Sequence, residues 1–185
     1  MHNFHNRRFN GDSQKLRSKE RLSLLEVNRV VEKCLEGIKV QNVLDIGTGT
    51  GVFAEAFSRL NLTVTGIDIN DELLHLARRE VPEAKFIVAP AEKLPFEEKM
   101  FDLVFLGLVL HETDDPGQAL GEAHRVARFR TAILEWPYRW AKQGPPLHHR
   151  LRPEEIEKIA IHAGFFSIER IELSHLHLFL LAAAG

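Results

Sequence analysis

A glycine-rich turn and two acidic side chains are the residues of this sequence best suited to chemistry. The turn contains Gly47, Gly49 and Gly51, and Asp45 precedes it. Glycine lets a backbone turn tightly and approach a ligand closely, because it has no side chain. Asp68 follows roughly 20 residues later, a distance at which a carboxylate can bind the two hydroxyls of a ribose. Together these residues predict a site for a ligand that contains a ribose.

The spacing of the glycines separates the known classes of nucleotide-binding turn. A dinucleotide site has the pattern G-x-G-x-x-G/A, but the third small position is occupied here by Val52. A P-loop requires a lysine after the turn, and none follows. Because any tight strand-to-helix turn can use glycine, the turn alone does not identify the ligand. A nicotinamide-dependent oxidoreductase is disfavoured by Val52 but stays an alternative.

Two histidines are candidate catalytic bases. His111 follows the fourth predicted strand, and an imidazole could take a proton from a hydroxyl, a thiol or an acidic carbon. Packing of His111 against the next helix is an equally open interpretation. His149 lies in the irregular segment 137–152, which could fold over the site or form an ordinary surface loop. Trp136 and Trp140 could stack on a substrate or belong to the core.

Alternating segments of apolar residues and helical periodicity must position these groups. Helices are predicted over residues 19–35, 52–60, 71–80, 116–127 and 153–163. Strands are predicted over residues 42–46, 62–68, 84–88, 101–106, 131–135, 166–173 and 176–182. Only Ser174 and His175 separate the last two strands, so this pair must be antiparallel. The pattern predicts an α/β fold, a doubly wound, mostly parallel seven-stranded sheet with a C-terminal antiparallel hairpin. Its carboxyl edge would carry the glycine turn.

Composition limits the class of protein. The chain has 185 residues, of which 44% are hydrophobic, enough for one domain over residues 19–185 after a flexible arm over residues 1–18. Phe4 and Phe9 in that arm could close over the ligand. With 24 basic and 26 acidic residues, nothing indicates a nucleic-acid partner, and no apolar run is long enough to span a membrane. The single cysteine gives no sign of an oxidising compartment, so we expect a cytoplasmic protein. We also expect a monomer or homodimer and no metal.

Several short motifs, taken in order, resemble those of a known family. The stretches are VLDIGTGTG, GIDIN, APAEKLPF, FDLVFLGLVLHETDDP and EAHRVAR. They resemble the motifs of class I S-adenosylmethionine-dependent methyltransferases, and in particular the type 11 group, which includes ubiquinone and menaquinone biosynthesis methyltransferases. The resemblance covers roughly residues 20–183. It implies a Rossmann-like methyltransferase fold, with S-adenosylmethionine as cofactor and S-adenosylhomocysteine as product.

The resemblance also implies a set of cofactor-binding residues. They are Asp45, Gly47, Thr48, Gly49, Gly51, Asp68, Ile69, Ala91, Glu92 and Leu108. Asp45 would organise the turn and the ammonium group of the cofactor, and Asp68 would take the ribose hydroxyls. One position departs from the family: Pro90 stands where many members have an acid that binds the adenine amino group. Glu92 or a backbone carbonyl would have to replace that acid.

The absence of certain motifs disfavours some classes of methyl acceptor. The fourth strand ends in Leu-Gly-Leu, without the Asn/Asp-Pro-Pro-aromatic stretch of many enzymes that methylate nucleobase or glutamine amino groups. There is no Pro-Cys pair for thiolate attack on a pyrimidine. We therefore expect direct in-line transfer to a small or partly apolar molecule. The alternative is a non-catalytic module that binds S-adenosylmethionine or S-adenosylhomocysteine through the same glycines and Asp68.

Overall fold

The computed structural model of the chain describes residues 13–182, and within them helices and strands alternate as predicted. The helices are α1 (Lys19–Leu25), α2 (Val27–Leu35), α3 (Val52–Ser58), α4 (Asp71–Glu80), α5 (Pro116–Val126) and α6 (Pro153–His162). The strands are β1 (Asn42–Ile46), β2 (Thr63–Asp68), β3 (Lys85–Val88), β4 (Phe101–Gly107), β5 (Ala127–Glu135), β6 (Ser167–Glu172) and β7 (His177–Ala182). Short 3-10 helices are formed by Ser13–Arg17, Leu110–Glu112 and Leu147–His149. No helix within residues 13–182 is long and apolar enough to cross a membrane.

The seven strands form one sheet in the order β3-β2-β1-β4-β5-β7-β6. The pairs from β3 to β5 are parallel, whereas β7 is antiparallel to both β5 and β6. The predicted doubly wound sheet and its antiparallel hairpin are therefore confirmed. Because β1, β2 and β4 are parallel neighbours, the segments that follow them meet at one edge of the sheet.

Helices cover both faces of this sheet, so the central strands are buried on both sides. Alternate residues of β4 contribute to two separate apolar clusters. Phe105 belongs to the cluster that includes α1 to α4, and Leu106 belongs to the cluster that includes α5 and α6. The continuous apolar sequence of β4 follows from this double burial.

The prediction of a single helix over residues 19–35 was wrong. The chain turns at Glu26, which has a left-handed backbone (φ 46°) and separates α1 from α2. The Glu26 carboxylate accepts a hydrogen bond from the Ser174 amide at 2.7 Å and one from Arg29 at 2.8 Å. These bonds tie the helix junction to the turn between β6 and β7. The helical spacing of the apolar residues does not reveal the turn at Glu26, because its partner Ser174 lies far along the chain.

The end of the predicted N-terminal arm contacts the domain. Within the 3-10 helix Ser13–Arg17, the Arg17 guanidinium donates to the Thr50 carbonyl at 2.9 and 3.1 Å and to the Glu55 carboxylate at 2.7 Å. This segment therefore lies against the start of α3. The rest of the arm, including Phe4 and Phe9, lies outside the described residues.

Candidate active site

A cavity of about 590 Å³ lies at the carboxyl ends of β1, β2 and β4. This volume falls within the range of small-molecule sites, about 300–1,000 Å³. Its lining includes Gly47, Gly49, Asp68, Ile69, Ala91, Glu92 and Leu108 from the predicted cofactor set, together with Arg21 and Glu112. Asp45, Thr48 and Gly51 are not part of the lining.

The glycine turn between β1 and α3 needs its glycines for different reasons. All three have left-handed backbones, with φ of 67° at Gly47, 55° at Gly49 and 79° at Gly51. A Cβ at Gly47 would lie 2.4 Å from the Val109 side chain, and one at Gly51 would lie 3.3 Å from the Ala77 side chain. A Cβ at Gly49 would meet no atom closer than 3.9 Å. Only Gly49 therefore leaves open space for a ligand, and Gly51 allows α4 to pack against the turn.

The Asp68 carboxylate joins this turn to the end of β2. One oxygen accepts the Gly49 amide at 2.9 Å, and the other accepts the Asn70 amide at 2.9 Å. Burial raises the pKa of Asp68, and the hydrogen bonds from the two amides oppose that rise. A carboxylate oxygen can accept more than one hydrogen bond. Each oxygen of Asp68 can therefore accept a further hydrogen bond at the cavity wall, so the carboxylate can bind two neighbouring hydroxyl groups.

Asp45 and Thr48 support the turn from inside the protein. Both side chains are buried, and the Thr48 hydroxyl donates to the Asp45 carboxylate at 2.6 Å. Burial raises the pKa of Asp45 to about 7, although the Thr48 hydrogen bond lowers it. A cation placed near this carboxyl group would favour its ionised form. The arrangement suits an ammonium group in the adjacent cavity.

Leu108, directly after β4, has a strained backbone at the cavity wall. Its φ of 59° lies in the left-handed region, which residues other than glycine rarely adopt. Its amide donates to the Leu134 carbonyl at 2.8 Å, which holds the conformation. Strained backbones of this kind cluster at ligand sites. Leu108 therefore lies at the cavity wall with a strained backbone, and its place in the cofactor-binding set stays a prediction.

The adenine-edge residues implied by the resemblance lie together on another wall. Ala91 is buried, and Ile69 is 44% exposed, so both present apolar surface to the cavity. The Glu92 carboxylate accepts the Asp114 amide at 2.8 Å, just before α5. Glu92 therefore has a structural contact in addition to its place at the cavity.

His111 lies behind the cavity wall in a buried ion pair. Its Nδ1 is 2.9 Å from each Glu135 oxygen, and its backbone amide donates to the same carboxylate at 3.1 Å. Its Nε2 is 3.7 Å from the Glu112 carboxylate, which does line the cavity. Burial alone would lower the His111 pKa, but Glu135 and then Glu112 raise it, and the net shift is upward. His111 thus connects a buried carboxylate with one at the cavity.

The cavity wall includes residues that were not predicted, among them the charged residues Arg21 and Glu112. Glu112 follows His111 directly, so the His-Glu pair was the available signal. Arg21 gave no signal, because a polar residue on the exposed side of a helical pattern is ordinary. Its guanidinium carbon lies 5.4 Å from the centre of the Trp136 ring, and burial lowers its pKa while Glu112 raises it. Only the fold brings α1 to this cavity.

His149 does not line the cavity. It lies in the 3-10 helix Leu147–His149, and its ring centre is 4.3 Å from that of His148. Trp136 is buried beneath this segment, and the Arg150 guanidinium lies 5.3 Å from the centre of its ring. Trp140 is 82% exposed. Of the aromatic pair considered in the sequence, Trp136 is therefore a core residue and Trp140 a surface residue.

Comparison with known proteins identifies the fold and the family. Residues 44–131 match the family model described as a methyltransferase domain, of type 11. A crystal structure of an S-adenosylmethionine-dependent methyltransferase from Aquifex aeolicus is similar, with a TM-score of 0.84 and 25% identity, covering 93% of this chain and 97% of that one. Residues 44–131 carry a type 11 methyltransferase domain, and the fold is that of an S-adenosylmethionine-dependent methyltransferase. The family and its cofactor are those that the ordered motifs predicted.

Curated relatives within the class I methyltransferases differ in their acceptors. A demethylmenaquinone methyltransferase from Chlorobaculum tepidum is 36% identical over 97 residues, 52% of this chain and 40% of that protein. A malonyl-[acyl-carrier protein] O-methyltransferase from Hamiltonella defensa is 31% identical over 134 residues, 66% of this chain and 52% of that protein. The chain thus spans about half the length of these relatives or less. These relatives therefore do not indicate one particular acceptor for this chain.

Proposed function

We propose that this chain transfers a methyl group from S-adenosylmethionine to a small-molecule acceptor by direct in-line displacement. The observation that carries the proposal is the Asp68 carboxylate, held by the Gly49 and Asn70 amides at 2.9 Å at the wall of a cavity of about 590 Å³. When bound, the cofactor supplies a methyl group on a sulfonium, which is an excellent leaving group. The protein then has to bind, orient and exclude water.

The proposed binding roles follow the walls of the cavity. Asp68 accepts hydrogen bonds from ribose hydroxyls, and Ile69 with Ala91 provides the apolar surface for an adenine ring. The open backbone at Gly49 and the strained backbone at Leu108 lie along the amino-acid part of the ligand. The turn is shaped by Asp45, Gly47, Thr48 and Gly51, and the adenine edge is shaped by Glu92.

The proposed route for a proton passes through Glu112 to His111. An acceptor atom that carries a proton, such as a hydroxyl oxygen or a thiol sulfur, must lose this proton when it gains the methyl group. Glu112 is the carboxylate at the cavity, and His111 lies 3.7 Å behind it. Glu135 fixes the imidazole from the other side. His149 is a second proposed contact, for an acceptor that extends beyond the cavity.

The cavity supports an acceptor that is small and partly apolar. Apolar surface is added to the lining by Ile46, Ile67, Leu73 and Val109. Arg21 adds a positive charge, and Glu112 adds to the acidic side chains of Asp68, Asp71, Glu72 and Glu92. A molecule with an apolar body and one polar reacting group fits this combination. The relatives act, by their names, on demethylmenaquinone and on malonyl-[acyl-carrier protein], so the acceptor of this chain has to be found by experiment.

Calorimetry with S-adenosylhomocysteine tests the cofactor site. We expect binding to wild type and to a Glu83→Gln control, which changes an exposed acid. Asp68→Ala removes charge-assisted hydrogen bonds and should weaken binding about tenfold to hundredfold. Circular dichroism has to show that the variant is folded. Absence of binding to the wild type, or equal binding to the Asp68 variant, would contradict the proposal.

Methyl transfer itself is tested with labelled S-adenosylmethionine and a panel of phenols, thiols, carbon acids and carboxylates. We expect turnover of one class, reduced in His111→Ala and in Glu112→Gln with S-adenosylhomocysteine affinity unchanged. Tight cofactor binding without turnover of any class would support the non-catalytic module instead. Turnover that survives both changes would show that the acceptor needs no base from these residues.

A further inference from the structure

The segment from residue 137 to residue 152 differs in charge from the rest of the chain. It contains four Arg or Lys residues and two His residues, and no Asp or Glu. The whole chain has 24 basic and 26 acidic residues. This segment therefore carries a local excess of positive charge, and we call residues 137–149 the basic loop.

The basic loop is held in one conformation by Arg150. This guanidinium is buried and donates four hydrogen bonds to backbone carbonyls of the loop, at 2.8 to 3.1 Å. The acceptors are the carbonyls of Pro137, Arg139, Gln143 and Pro145. Because these carbonyls face the guanidinium, the loop curls around it and residues 139–144 are all exposed.

A large apolar side chain is presented at the outside of this ordered loop. Trp140 is 82% exposed, a larger fraction than for any other large hydrophobic residue within residues 13–182. Arg139 and Lys142 lie on either side of it in sequence and are exposed, and Leu147 is 38% exposed. An ordered loop that exposes an indole between two cations is typical of a contact surface.

The basic loop lies beside the cavity. A Cβ at Gly144 would lie 2.7 Å from the buried Trp136 ring, so the loop packs directly on this indole. Arg21, which lines the cavity, lies 5.4 Å from the same ring. The basic loop and one residue of the cavity wall therefore contact the same buried indole.

We propose that the basic loop docks the chain on anionic phospholipid surfaces. An indole prefers the boundary between lipid headgroups and acyl chains, and Arg and Lys are attracted to the negative surface of an anionic bilayer. Trp140 inserts at that boundary, while Arg139 and Lys142 contact lipid phosphates. Lipid fits better than nucleic acid, which requires cations along a phosphate track rather than two beside one indole. The contact is weak and reversible, because one insertion and two charges provide little binding energy.

Sedimentation with vesicles tests this proposal without any methyl acceptor, so its outcome is independent of the proposed function. We expect the full chain to bind vesicles that contain phosphatidylglycerol, with binding that falls as salt rises and is absent from pure phosphatidylcholine. Each of Arg139→Gln and Lys142→Gln should weaken binding about fivefold, and Trp140→Ala should weaken it further. Matched controls are Arg79→Gln with Lys85→Gln for exposed charge and Phe166→Ala for exposed apolar surface.

Fluorescence gives a second readout, because one tryptophan is buried and the other is exposed. Anionic vesicles should shift the emission of wild type to shorter wavelength, and brominated lipids should quench it, but not in Trp140→Phe. Equal binding by wild type and loop variants, an unchanged Trp140 signal, or no binding to anionic vesicles would overturn the proposal. So would binding to single-stranded RNA that is stronger than binding to the vesicles and depends on the same residues.

Discussion

At the scale of single residues, the buried pair of His111 and Glu135 has a pH dependence with a definite sign. Glu112 faces the other imidazole nitrogen, and the charge of Arg150 opposes protonation, but the net effect raises the His111 pKa. A raised histidine pKa stabilises the fold below the pKa of an unfolded histidine, and this contribution is lost as pH rises through the raised value. Glu135→Gln should therefore cost about 3 kcal/mol near pH 6 and clearly less near pH 9. Urea unfolding of wild type and variant at both pH values measures this loss of stability. A loss that is constant or larger at high pH would contradict the prediction.

Asp45 also has a raised pKa, here because burial disfavours the charged form of an acid. Its value of about 7 exceeds that of an unfolded aspartate, so the folded protein keeps the proton and its stability falls as pH rises from about 4 to 7. Asp45→Asn keeps an acceptor for Thr48 but cannot ionise. We expect it to raise the free energy of unfolding by about 2–4 kcal/mol at neutral pH, with no gain near pH 4, and to weaken cofactor binding. A gain in stability that is independent of pH would contradict this assignment.

At the scale of elements, the turn between β1 and α3 depends on one close packing contact. Gly47→Ala would place a Cβ 2.4 Å from Val109 in a left-handed backbone, whereas Gly49→Ala meets only the backbone cost. We expect losses of about 3 kcal/mol or more for Gly47→Ala and about 1–2 kcal/mol for Gly49→Ala. Urea unfolding without ligand measures both, and equal losses would show that Val109 moves aside at no cost.

The basic loop depends on the shape of one guanidinium. Arg150→Lys keeps the charge but lacks the planar set of donors that reaches four carbonyls. We expect trypsin to cut after Arg139 and Lys142 several-fold faster in this variant, with a small change in overall stability. Mass spectrometry of the fragments identifies the bonds. Arg128→Lys, which alters an ion pair with Asp102 outside the loop, should leave these rates unchanged.

At the scale of the whole molecule, ligand binding should be visible as stability. A ligand at 100 times its Kd that binds only the folded state adds about 2.7 kcal/mol. For a domain of this size, each kcal/mol corresponds to about 2–4 °C, so S-adenosylhomocysteine should raise the Tm by about 5–10 °C. NAD at the same concentration should leave the Tm unchanged. A rise with NAD alone would return the oxidoreductase to consideration.

The sequence was sufficient for the sheet and for the family. The parallel sheet could be inferred from the alternation of strands and helices, and its antiparallel hairpin from the short connection between the last two strands. The ordered motifs gave the cofactor. The turn at Glu26 could not be inferred, since its partner Ser174 is 148 residues away. The packing of Gly51 on α4 was hidden for the same reason, because a glycine against a ligand and a glycine against a helix have the same sequence.

Some of the predicted site residues lie at one cavity, and their roles stay predictions. Asp68 and Leu108 lie at the cavity, where the resemblance placed them. Arg21 was missed because α1 reaches the cavity only through tertiary packing, and His111 proved to lie behind Glu112. Side-chain direction at a strand end depends on which neighbours are buried, and no local pattern contains that information.

The position of β7 in the sheet bears on how the chain folds. β7 follows β6 in the chain, yet it lies between β5 and β6. Until β7 docks, β6 has no partner in the sheet and β5 presents an edge of unpaired backbone groups. We therefore expect a folding chain to be open to association with other chains at this edge until β7 is in place.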